Sequence, residues 1–187
     1  IRIDRVIFYS VIDWRKHLVS LFALRERKGK LKILILGPYR PNFILQRLEG
    51  LRNCLVKRAF KTARLVKDFP NIERYDKDDD VHFTKKSRWL MEHWAHVLIF
   101  VFFKDGENLG VGNELSYACL RLPRKTSHSA VFLETNLNVG TQVRGTIKLG
   151  TRDQKLSYED FQNDKQLCNL TFGHSIKALD HLFYYLD

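Results

Sequence analysis

Seven consecutive apolar residues, Val97-Leu98-Ile99-Phe100-Val101-Phe102-Phe103, limit what this chain can fold into more than any other feature. A strand with one face in water alternates apolar and polar side chains, so a run that is apolar at every position needs cover on both faces. Helices packed on each side of a parallel sheet supply that cover to a central strand. The run is far shorter than the roughly 20 apolar residues that cross a bilayer, and no other apolar run approaches that length.

The flanking sequence has the parts such a sheet needs. Leu31-Lys32-Ile33-Leu34-Ile35-Leu36 reads as the first core strand and runs into the turn-rich Gly37-Pro38-Tyr39-Arg40-Pro41-Asn42. Leu45, Leu48, Leu51, Leu55 and Val56 then recur at helical spacing to about Phe60. Residues 62–66 form a second strand, and the acidic stretch with Asp76, Asp78, Asp79 and Asp80 reads as an exposed loop. A helix over 83–93 leads into the apolar run; after it come a glycine-containing loop, a helix over 111–122, a strand at Ala130–Glu134, a Gly/Thr-rich segment to Gly150, and a terminal helix near 167–186. This alternation predicts an α/β fold with a doubly wound, mostly parallel sheet of the flavodoxin/Rossmann-like type. Upstream, Val6, Ile7, Val11, Trp14, Leu18, Leu21 and Phe22 predict an appended N-terminal helix, and the basic stretch over 25–30 breaks its pattern. The division is an N-terminal helical extension, 1–29, and an α/β domain, 30–187. The apolar stripe of the extension predicts a homo-oligomer.

A chain of 187 residues with 44% hydrophobic and 28% charged residues is an ordered single domain, not a disordered one. Cys54, Cys119 and Cys168 are odd in number and far apart, which fits neither a disulfide framework nor a zinc cluster and predicts a reducing compartment. The first residues, with Arg2, Asp4 and Arg5, lack a secretory cleavage site, so the expectation is a cytoplasmic protein with no membrane span. His93 and His96 have a helical ligand spacing but no accompanying Cys or carboxylate motif, so no metal site is expected. Trp89 and Trp94 read as core packing. The net charge of +11 attracts phosphates, whether of nucleotides or of nucleic acid, or an anionic membrane surface, without choosing among them.

In open parallel sheets ligands settle beyond the carboxyl ends of the strands. Two loops qualify. In the first, Gly37 permits close backbone approach beside Pro38, Tyr39 offers a stacking face with a hydroxyl, and Arg40 suits a phosphate. The second, Asn108-Leu109-Gly110-Val111-Gly112-Asn113-Glu114-Leu115-Ser116-Tyr117-Ala118, follows the most buried strand; Gly110 and Gly112 let the backbone crowd a ligand. Glu114 would lie in the first turn of the following helix, where the dipole favours the ionised carboxylate. Acidic residues are common in first turns as helix caps, and a carboxylate held charged there can also act as a nucleophile. Arg144, in the Gly/Thr-rich segment, is a further phosphate candidate.

The run from Leu109 to Ala118 resembles the catalytic loop of the nucleoside 2-deoxyribosyltransferase family, which places a glutamate after two small residues and before Leu/Ile-Gly-Tyr-Ala. The order of parts across residues 31–186 is similar too, and the glutamate helix resembles that of TIR-type NAD-cleaving domains. The resemblance implies an enzyme acting at the N-glycosidic bond of a nucleoside, nucleotide or NAD-like molecule without a cofactor, with Glu114 as nucleophile and Tyr39 positioning sugar or glutamate. Gly37, Pro38, Arg40, Ser87, Asn108, Gly110, Gly112, Asn113 and Arg144 are the expected substrate-binding residues. The chain departs from the family at Asn108, His96 and Ser87, where acidic residues are usual, which leaves the leaving base without its customary proton donor. The alternative is a catalytically inactive module that senses a nucleotide or binds nucleic acid.

Overall fold

The computed structural model describes residues 23–70 and 79–182. Five parallel strands, β1 (Ile33–Leu36), β2 (Arg64–Leu65), β3 (Val97–Phe102), β4 (Ala130–Glu134) and β5 (Ser157–Phe161), form one sheet in the order β2-β1-β3-β4-β5. This is the doubly wound, flavodoxin-like order, with helices on both faces. Every residue of β3 is buried, as its unbroken apolar sequence requires. Val97, Ile99 and Val101 point into one core layer, and Leu98, Phe100 and Phe102 into the other.

Helix α1 covers residues 23–30. Helix α2 (Asn42–Lys57) buries Ile44, Leu48, Leu51 and Leu55, a spacing that keeps one stripe on the sheet. Together with α7 (Asp164–Leu182) it closes the first layer. Helix α3 (Asp79–Trp89), whose last turn widens into a π-helix (Leu90–Trp94), closes the second layer with α4 (Leu109–Arg121) and α6 (Thr141–Gln154). A short α5 (Pro123–Thr126) follows α4.

Several elements differ from the sequence reading. Residues 25–30 continue a helix instead of breaking one, with Leu31 N–H bonded to the Arg27 carbonyl. The second strand shortens to two residues because the chain turns into a 3-10 helix (Val66–Asp68), where the Asp68 carboxylate accepts the Leu65 N–H. Asp79 and Asp80 lie in α3, not in a loop, and Asp76 and Asp78 fall outside the described residues. The Gly/Thr-rich segment is mostly helical: Gly150 lets α6 press onto Leu156 and Cys119, where a Cβ would lie 2.7 Å from Leu156 Cδ2. The polar Ser157–Phe161 is a strand because the main chain of β4 pairs with it residue by residue, from Ala130 opposite Ser157 to Glu134 opposite Phe161. Cys54 of α2 and Cys168 of α7, 114 residues apart, are joined as a disulfide, with Cα atoms 6.3 Å apart; Cys119 is a buried free thiol. Distance in sequence was therefore a poor guide to pairing, since both cysteines face the same helix seam. Among the described residues no helix is long and apolar enough to cross a membrane. The expected N-terminal helix falls outside the described residues except for residues 23 and 24, and the stripe on which a homo-oligomer was expected lies outside them altogether.

Candidate functional site

A cavity of about 370 Å³ opens where the β1 loop and the β3 loop part. Beyond β1 the chain leaves for α2 on one face, and beyond β3 it leaves for α4 on the other, so the two loops diverge and leave a crevice between them. The walls come from three places: Gly37, Pro38 and Tyr39 after β1; Phe83, Thr84, Ser87 and Arg88 of α3; and Glu107 before α4 with Gly110, Val111, Asn113, Glu114, Ser116, Tyr117 and Leu120 on it. A Cβ at Gly37 would lie 2.8 Å from Leu48 Cδ2 and 3.2 Å from the Val101 carbonyl, so only glycine lets the β1 loop fold down between α2 and β3.

Glu114 lines this cavity. It is the sixth residue of α4, which begins at Leu109, and therefore sits beyond the first turn where the sequence reading put it. Away from the free amide ends of the helix, burial governs the carboxyl and pushes its pKa up to about 7, against the opposing pull of the Ser87 hydroxyl and the Arg88 guanidinium. Near neutral pH the group is divided between a proton donor and a carboxylate.

Tyr39 lies in the same wall. Its hydroxyl accepts the Val66 N–H at 3.1 Å, and its ring meets Phe83 edge-on at 5.1 Å between centroids. Burial, reinforced by the negative charge of Glu114, holds the phenol protonated well above its ordinary range. Ser87 is fully buried; its hydroxyl reaches Glu114 and also lies 3.2 Å from the Thr84 carbonyl. Arg88 lies over the Tyr117 ring, 4.9 Å from its centroid, and Tyr117 donates its hydroxyl hydrogen to Glu92.

Of the residues expected from sequence, Gly37, Pro38, Tyr39, Ser87, Gly110, Asn113 and Glu114 meet at this cavity. Arg40, Asn108, Gly112 and Arg144 are not in its lining. Asn108 turns its amide back on the β3 loop, accepting the Phe103 N–H at 3.2 Å and donating to the Phe103 carbonyl at 2.7 Å. Gly112 faces α6, where a Cβ would come 2.9 Å from Val143 Cγ2, so its smallness serves helix packing. Arg144 is on α6 with its N–H on the Gly140 carbonyl, and Arg40 is exposed with its carbonyl bonded to the Glu107 N–H. His96 sits at the opposite end of β3, where its Nδ1 accepts the Lys32 N–H at 3.2 Å. Arg88 and Glu107 escaped the sequence reading; only the packing of α3 against α4 and the fold of the β3 loop bring them to the cavity. Their signal in the sequence was nothing beyond proximity to Ser87 and Asn108.

No family model, curated protein or solved structure matches this chain. The functional reading rests on the site itself.

Proposed function

We propose that the protein is a nucleoside 2-deoxyribosyltransferase-like enzyme that cleaves or transfers at the N-glycosidic bond of a nucleoside or nucleotide, with Glu114 as nucleophile. The observation that carries this reading is a carboxyl group lining a cavity at the strand crossover, beside a phenol that burial keeps protonated. In its ionised form Glu114 attacks the anomeric carbon as the base departs, stabilises the oxocarbenium-like sugar, and forms a glycosyl-enzyme that water or a second base resolves. Tyr39 orients Glu114 or a sugar hydroxyl. Glu107, the second carboxylate of the lining, is the group we assign to proton exchange with the leaving base, in place of the acid that Ser87 and Asn108 do not supply. Arg88 in the wall favours a phosphate-bearing substrate.

Incubating the protein with a panel of nucleosides, nucleotides and NAD, with free base followed by chromatography, tests the assignment. Wild type should release base from at least one substrate, with kcat/KM rising as pH increases through about 7 while Glu114 ionises. Glu114→Ala should reduce release by about a thousandfold or more; equal release by the two proteins sinks the assignment. The engagement of Asn108 by the Phe103 main chain favours a second reading, a nucleotide-binding module without turnover. Saturable nucleotide binding with no base release would establish that one.

A further inference from the structure

The end of the sheet opposite the Glu114 cavity carries a second constellation. Because all five strands are parallel, the residues that precede them converge on one edge: Lys32 before β1, His96 before β3, His128 before β4 and Lys155 before β5. Two cavities, of about 300 and 570 Å³, open there and share Ser127 and His128 in their walls, so they lie side by side as the two halves of one basic groove. Lys155, His174, Lys177 and His181 line one half; Lys32, Arg124 and Trp94 line the other. Among the described residues no carboxylate lines either half. The nearby Glu92 is engaged by the Tyr117 hydroxyl and by His93 at 3.3 Å. Lys125 is also in the wall, but its ammonium turns inward to the Met91 and Glu92 carbonyls at 2.8 and 2.6 Å. Among the described residues four basic side chains therefore line the walls without turning inward: Lys32, Arg124, Lys155 and Lys177.

Lys155 sharpens the case. It caps α6 with φ at 58°, in the left-handed region where glycine is relaxed and a lysine is strained. The chain keeps a long cationic side chain at a position whose backbone would be better served without one, and that residue lines the groove. Trp94 is partly buried against the second core layer, edge-on to Phe69 at 4.7 Å between centroids, and its remaining surface adds an aromatic wall to a basic channel, the pairing by which proteins hold unpaired bases while tracking phosphates.

We propose that this groove binds a single-stranded nucleic acid through its phosphates, at the end of the sheet opposite the Glu114 cavity. A flexible strand can send successive phosphates and a base into a recess, whereas a duplex presents its phosphates on a stiff convex surface.

Fluorescence anisotropy of the whole chain with a labelled oligo-dT strand, repeated across a salt series, tests this. Four neutralised phosphates should give a slope of log affinity against log salt of about −3. Lys155→Gly should relax the capping residue and leave the melting temperature equal or higher, yet weaken binding about fivefold and flatten the slope by about 0.7. Lys177→Glu should weaken binding at least as much. The proposal is overturned if wild type does not bind at low salt, or if both variants bind as wild type does. It is also overturned if duplex competes as well as strand, or if inorganic tripolyphosphate at equal phosphate displaces the strand completely, since the groove would then serve a small polyanion.

Discussion

Glu114 holds its proton to about pH 7 because protein surrounds its carboxyl, and this makes the residue visible in stability as well as in chemistry. Below the ordinary carboxylate range the group is protonated in both folded and unfolded chains and contributes no pH dependence. Between that range and pH 7 the unfolded chain ionises while the folded one does not, so stability falls as pH rises through this window, by about 3 kcal/mol. Glu114→Gln removes the penalty: its melting temperature should exceed that of wild type by roughly 5 to 10 °C at pH 8 and match it at pH 4. A difference that does not change with pH would mean that the carboxyl is well solvated. Tyr39→Phe keeps the edge contact with Phe83 but strands the Val66 N–H that the hydroxyl accepts. Chemical denaturation should show a loss of about 1 to 2 kcal/mol, and base release should fall with it.

At the scale of elements, close backbone approach is the recurring device. Gly37 admits α2 and β3 beneath the β1 loop, and Gly150 admits Leu156 and Cys119 beneath α6. Gly37→Ala places a methyl group against Leu48 and the rigid Val101 carbonyl and should cost about 1 to 3 kcal/mol, read as a lower denaturation midpoint at unchanged slope. Elements whose own sequence carried the signal were legible: β4 runs over Ala130–Glu134 as expected, and the apolar run before it is β3. Elements stabilised by neighbours were not. In α6, Gly145, Gly150 and three threonines lower helix propensity, and burial of Ile147 with Val143 against the second core layer offsets them. In β5, Tyr158, Glu159 and Asp160 face water, so the strand exists by pairing with β4 and leaves little apolar pattern. The site divides in the same way. Tyr39, in the loop after β1, and Glu114, in the helix after β3, could be picked out as cavity-lining candidates from the order of elements, while Arg88 and Glu107 reach the cavity through tertiary packing, which spacing along the chain does not encode.

Across the whole molecule, Arg47 ties three elements together. It bridges Glu134 at the end of β4 and Asp164 at the start of α7, at 3.0 and 2.7 Å, and lies 4.3 Å from the centroid of the Phe103 ring. Its guanidinium and the Lys104 N–H help hold the Glu134 carboxyl below its usual range. A depressed carboxylate contributes stability above its unfolded pKa and loses that contribution as pH falls through the folded one. Arg47→Ala should therefore cost about 1 to 3 kcal/mol at pH 7 and distinctly less at pH 3, measured by denaturant titration at both values. An equal loss at the two pH values would assign the effect to the contact with Phe103.

The margins of the sheet bear on how copies of this chain can meet. One margin is β2, only two residues long, and the other is β5, whose outward side chains include Glu159 and Asp160. Two molecules joining margin to margin through β5 would set acidic side chains against one another along a shared ribbon, and through β2 they would gain hardly any rungs. Edge-to-edge growth is thus disfavoured at both flanks, which leaves the helical faces as the broader surfaces that the described residues offer to another copy.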